Sequence, residues 1–208
     1  MNFIKLNVLR NTMNFKTIIA LCSSAIFFVS CNKNDEVAKP LGQVRLEYPK
    51  QTYVQFNENV PYTFQYSSFA KPVVGKKLNS FNIVYPKMKA TIYLTYFPVN
   101  SENDLITQIK ESERFVQDQT VKASFISPQE FSFPTKRVFG TLYELGGESA
   151  INIQFHSTDS TRNFLSGSVY FKTQPKPDSL APAVNYIKAD VKKLLETLEW
   201  KKINLVGK

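Results

Sequence analysis

The sequence predicts an α+β domain, a mostly antiparallel sheet covered by helices. Short runs rich in Val, Ile, Tyr, Phe and Thr alternate in polarity, two segments carry apolar residues at helical spacing, and turn residues separate neighbouring strand patterns. Strands are expected over residues 44–48, 62–66, 81–85, 91–97, 138–145, 150–156 and 165–172.

In the strand 150–156, Ile151, Ile153 and Phe155 share one face and Asn152, Gln154 and His156 the other, so the second face should meet water or a polar layer. The strand 91–97 differs. Ile92, Leu94 and Tyr96 point one way and Tyr93 and Phe97 the other, which predicts a central strand covered on both sides. A helix should begin with Ser101 as cap and carry Leu105, Ile109, Ser112 and Val116 inward. A second, over 182–200, places Val184, Ile187, Val191, Leu194, Leu195 and Leu198 on one stripe, with Pro182 in its first turn. Gly146-Gly147 and residues 159–162 fit hairpin connections, which makes three strands an antiparallel meander. The order strand, helix, meander, helix resembles the α/β/α layered Mog1/PsbP-like arrangement, an analogy that says little about function. No internal repeat is evident.

The 208 residues fit one domain of ordinary size over 44–202, after an export segment 1–30 and a polar tether 31–43, with a short tail 203–208. A domain of that size buries roughly 70% of its extended-chain surface and needs no disulfide or metal to fold. The formal charge is +9, but Lys5, Arg10 and Lys16 lie in the export segment; the remaining 23 basic and 17 acidic residues leave +6. That excess is spread along the chain and lacks the basic stripe of a nucleic-acid reader.

Residues 14–30 have the parts of a secretory signal: Lys16, an apolar stretch over 17–29, and small Ser30 before Cys31. The stretch is shorter than the roughly 18 residues of a spanning helix, and polar Asn32, Lys33, Asn34, Asp35 and Glu36 follow it. Translation can start at Met1 or Met13. Phe28-Val29-Ser30-Cys31 resembles a lipobox, with Phe28 where Leu is usual, so Cys31 is the expected site of lipidation; Cys22 follows bulky Leu21 inside the apolar run. With Cys22 removed and Cys31 modified the mature chain has no other cysteine, which excludes disulfides and thiolate catalysis. Buried acyl carbons contribute roughly 0.8 kcal/mol per CH₂, so several chains hold a protein at a bilayer more firmly than its modest charge does. The run 32–36 suits either a surface-export tag or a plain solvated tether.

Catalytic chemistry has few carriers. His156 is the only histidine, so any Ser-His-acid arrangement must run through it, and histidine-rich metal sites are excluded. Its neighbours Ser157, Thr158 and Asp159 alternate faces and cannot form a triad with it; an ordinary solvated strand histidine is expected. Glu47, Glu144, Glu148 and Asp159 are expected to be scattered and solvated. Gly146-Gly147 lacks the spacing of a phosphate-binding loop. Ten tyrosines and seventeen phenylalanines allow a binding face, although core packing and sheet pairing are the expected use of any one of them. Asp159-Ser160-Thr161 and Asp178-Ser179-Leu180 fit a short O-glycosylation pattern at Ser160 and Ser179.

The segments YPKMKATIYLTY (85–96), YELGG (143–147), QFHSTDS (154–160) and FLSGSVYF (164–171), in this order, resemble the gliding motility lipoprotein GldD family. The resemblance implies a non-enzymatic, lipid-anchored envelope component at the outer membrane, on its periplasmic or surface face. It also implies protein partners in the gliding and type IX secretion assembly, with no catalytic residue and no cofactor. The Tyr-Pro-Lys-Met-Lys segment fits a partner contact or, preferably, the entry to a central strand.

Overall fold

The computed structural model describes residues 48–76, 78–172 and 177–201, all within the unit that starts at Leu46. Strands β1 (Tyr53–Phe56), β2 (Tyr62–Ser67), β3 (Lys71–Val74), β4 (Ser80–Tyr85) and β5 (Ala90–Pro98) precede helix α1 (Glu102–Gln117). Strands β6 (Ala123–Phe133), β7 (Val138–Gly147), β8 (Ile151–Thr158) and β9 (Asn163–Phe171) follow, then α2 (Pro177–Thr197) and β10 (Glu199–Trp200). A seven-stranded sheet runs β3-β4-β5-β9-β8-β7-β6 and a three-stranded sheet β1-β2-β10, every pairing antiparallel. The α+β class and the β7-β8-β9 meander are as expected. The strand expected over 44–48 falls outside the described residues except for Tyr48, which is not in a strand.

Four strands escape the periodicity reading, and two of them have a shared reason. β3 and β6 are the edges of the large sheet, they contain Pro72 and Pro128, and neither has a fully buried residue. An edge strand tolerates proline because its outward N–H needs no partner, and without a buried face its polarity does not alternate.

Helix α1 begins as expected. Ser101 is extended and its Oγ accepts from the Asp104 amide at 3.1 Å, with Glu102 and Asp104 in the first turn and Arg114 in the last, the signs that suit the helix dipole. Ser112 and Val116 are its buried residues. Helix α2 requires a correction. It starts at Pro177, so Pro182 lies inside it rather than in its first turn, and it stops at Thr197, leaving Trp200 in β10. Pro182 removes a backbone bond only near the N-terminal end and its ring is exposed to solvent. The far end is closed by Thr197, whose Oγ1 donates to the Lys193 carbonyl at 2.7 Å and accepts from the Gln65 amide of β2 at 2.8 Å. No helix among the described residues is long and apolar enough to cross a membrane.

The core joins the predicted stripe, Val184, Ile187, Val191, Leu194 and Leu195 of α2 with Leu198 just beyond its end, to Ile83, Ile92, Leu94, Ile153, Phe155, Leu165 and Val169 of the large sheet and Phe56, Tyr62 and Phe64 of the small one. Phe56 and Phe64 stack with centroids 4.6 Å apart. Much of the aromatic content is therefore packing.

Two hairpins contain the same turn, a local repeat that composition alone conceals. Tyr85 and Phe133 each end a strand, Pro86 and Pro134 each start a single 3-10 turn, and Lys89 and Arg137 close it with left-handed φ of 50° and 51°. The Tyr-Pro-Lys-Met-Lys segment is thus the tight entry to internal strand β5, with Lys87 and Lys89 exposed. Both turns are tied to the C-terminal segment. The Tyr85 hydroxyl donates to Asp190 Oδ2 at 3.0 Å, Lys136 Nζ donates to the Glu196 carbonyl at 2.7 Å, and the Trp200 indole donates to the Arg137 carbonyl at 2.9 Å.

Two glycines give a stability test. A Cβ at Gly140 would collide with the His156 carbonyl oxygen of the adjacent strand, whereas one at Gly146 would meet only the ring of Phe125, which is half exposed and able to swing away. Gly140→Ala should cost about 1–3 kcal/mol and lower Tm by several degrees, and Gly146→Ala clearly less, in parallel thermal melts. Equal losses would contradict the assignment.

Candidate functional site

Antiparallel register carries polar residues across the middle of the large sheet in two rows. Ser80 pairs with Thr95, Thr95 with Ser166 and Ser166 with His156; Asn82 pairs with Tyr93, Tyr93 with Ser168 and Ser168 with Gln154. Residues between and beside these rows, including Ile92, Leu94, Phe155 and Leu165, point to the opposite face and belong to the core. Helix α1 reaches the polar face through Ser112, whose Oγ lies 3.3 Å from His156 Nδ1. Between the helix and strands β4, β5, β9 and β8 a groove of about 790 Å³ remains. Its floor includes Tyr93, Thr95, Gln154, Ser166 and Ser168, its walls Phe97, Phe115, Phe164, Gln108 and Glu111, and its rim Lys76 and Lys172. β5 is internal as expected, but its second face is only partly covered, since Tyr93 opens into the groove and is 39% exposed.

The expectation of a solvated histidine is overturned. His156 is 5% exposed, stacked on Phe164 at 5.6 Å and 13°, and capped by Ser112. Both faces of β8 are covered, because Asn152, Gln154 and His156 are all buried. Burial pushes the His156 pKa down to about 4, so the imidazole is neutral at physiological pH. A Ser112–His156 pair is a contact that strand-local reasoning missed, because Ser112 comes from a helix distant in sequence. It lacks the third group that orients a catalytic base: no carboxylate among the described residues bonds to this imidazole.

The carboxylates do not converge. Glu144 is held by Lys188 at 3.0 Å, Glu148 is exposed, and Glu47 lies outside the described residues. Asp159 organises the β8–β9 turn, its Oδ1 accepting from the amides of Thr161, Arg162 and Asn163 at 2.9, 2.7 and 2.9 Å. Burial pushes its pKa up, but these backbone bonds outweigh burial and hold it below the usual carboxylate value. Asp190, at 2% exposure, is the buried acid that helical periodicity did not single out. Burial raises its pKa against the opposing pull of hydrogen bonds from Tyr85 and Gln51. No cluster of three or more metal-ligating side chains occurs among the described residues. Ser160 is exposed in its turn, and Cys31 lies outside the described residues.

A family model described as gliding motility lipoprotein GldD matches residues 33–200. The chain belongs to this family. Membership makes it a gliding motility lipoprotein, lipid-anchored in the cell envelope. No curated protein matches the sequence. The segments that carried the resemblance are, in this GldD-family chain, the first proline turn with β5, the end of β7, β8 with its Asp159 turn, and β9.

The buried imidazole makes stability depend on pH. Its folded pKa lies below its unfolded value, so the unfolded chain binds more protons between about pH 6.5 and 4. Its stabilising contribution is complete above that window and is lost as pH falls through it, by roughly 3 kcal/mol in all. Asp190, whose pKa is raised, acts in the opposite sense, so the histidine is read as the difference between wild type and His156→Gln in urea unfolding. The wild type should lose more stability than the variant from pH 7 to pH 4; parallel curves would contradict a buried neutral His156.

Proposed function

We propose that this chain is a non-enzymatic envelope component required for gliding motility and associated with the type IX secretion machinery. In this reading it is held at the outer membrane by acyl chains, palmitate among them, on Cys31 after removal of a signal peptide. The family match over 33–200 carries this reading, because it spans every described strand and helix and begins two residues after Cys31. A non-enzymatic role is supported by the histidine, which is neutral, sealed beneath α1 and without a carboxylate partner among the described residues. Protein partners in the motility or secretion assembly follow from the same proposal. So does the finer fold reading of three α/β/α layers on the Mog1/PsbP-like pattern: on β8, Ile153 and Phe155 join the core shared with α2, while His156 meets Ser112 of α1.

A second reading, an envelope-facing ligand-binding or hydrolytic lipoprotein, draws support for its binding half from the groove. Gln154 lines it at 3% exposure and its buried Oε1 has no partner, an acceptor that a ligand donor satisfies once the amide turns toward the groove.

Replacement at the chromosomal locus of the host tests the first reading. Deletion should abolish spreading on agar and reduce type IX export, and His156→Gln, at wild-type protein level, should spread and secrete like the parent. Normal spreading after deletion would contradict the required role. Loss of spreading in a well-accumulated His156→Gln strain would contradict the non-enzymatic one.

A further inference from the structure

We propose that the groove between α1 and the central strands binds a short acidic glycan, an inference that rests on the ligand-binding reading above and names its ligand class. Gln154 makes one weak contact there, its Nε2 donating to Ser166 Oγ at 3.4 Å, and its Oε1 has no partner. A buried acceptor without a partner costs free energy, which a ligand donor recovers once the amide turns toward the groove. Turning the amide over only exchanges the open acceptor for an open donor, and a hydroxyl satisfies either.

The floor around Gln154 is built from groups that both donate and accept: the hydroxyls of Ser166, Ser168 and Thr95 and the half-open phenol of Tyr93. A polyhydroxylated ligand matches such a floor, whereas an acyl chain would strand it. The walls add Phe115, 41% exposed, and Phe97, flat faces suited to the C–H face of a pyranose ring. A peptide strand is disfavoured by position. β5, β9 and β8 are internal, their main-chain groups already paired, so no sheet edge is offered to an extended backbone.

Charge gives the ligand its sign. Lys76 and Lys172 on the rim are exposed and ion-pair with no carboxylate among the described residues. The acidic wall residue Glu111 is engaged by Arg114 at 2.6 Å. A carboxylate on the sugar therefore meets net positive charge. The volume of about 790 Å³ falls within the ordinary range of small-molecule sites.

The test is calorimetric titration of the full chain in detergent micelles with trigalacturonic acid, beside neutral maltotriose. Trigalacturonate should bind saturably and maltotriose more weakly, and Tyr93→Ala and Lys172→Glu should each weaken the acidic sugar by about tenfold or more. Both substitutions lie at exposed side chains, and each variant is first matched to wild type in its thermal melt. No saturable binding, equal binding of the two sugars, or trigalacturonate binding unchanged in both variants would overturn the proposal. Thr95→Trp, which fills the groove, separates this failure from that of the underlying reading. If it stops spreading at normal protein level while no sugar binds, only the glycan is wrong; if spreading persists as well, the groove binds nothing that matters.

Discussion

The pairing of β5 with β9 is the constraint on which the rest of the structure depends. It aligns the two strands without a break from Ala90 opposite Phe171 to Pro98 opposite Asn163. It is the join between the hairpins of β3, β4 and β5 and the meander of β6 to β9, segments separated by the whole of α1. A one-residue slip would turn Ile92 and Leu94 away from the core and bring Tyr93 and Thr95 into it. Correct register places Ile92, Leu94, Leu165 and Val169 in the core on the side of α2 and Tyr93, Thr95, Ser166 and Ser168 on the side of α1. Gly167 leaves room at this seam for the ring of Phe155, lying opposite Leu94 where a side chain would collide with that ring.

The two faces made by that pairing have different chemistry and different duties. On one, α2 and the small sheet close an aromatic and aliphatic core, and the two proline turns are fastened to it through Tyr85, Lys136 and Arg137. On the other, α1 covers only part of a polar floor. It buries His156 and Gln154 but leaves Tyr93 open, and the result is a groove rather than a second core. The apolar core lies on the first face, and the recognition proposed above belongs to the second.

Much of this was legible in the sequence, for physical reasons. Val-, Ile-, Tyr-, Phe- and Thr-rich runs whose side chains alternate between two faces could be located as β5, β7, β8 and β9, and Ser101 announced α1 because a serine side chain satisfies an orphan amide. Edge strands β3 and β6 gave no such signal, since their surroundings do not demand alternation. Pro182 misled the reading of α2 because proline usually marks a helix start, and here the helix absorbs it. The polar stripe of β8 was seen but assigned to solvent or a polar layer without a choice between them. Only the distant contact with Ser112 decides that, and such contacts leave no trace in local spacing. Family membership was legible from four short segments, among them the tight turn into β5 and the Asp159 turn, whose shapes depend on particular residues.

The account stands or falls on the covalent lipid at Cys31. Intact mass and membrane fractionation of the native protein beside Cys31→Ala test it most directly. A lipid-sized mass increment and membrane retention, both lost in the variant, are the predicted result. An unmodified wild type recovered in the soluble fraction would contradict the anchor and make this a freely diffusing protein.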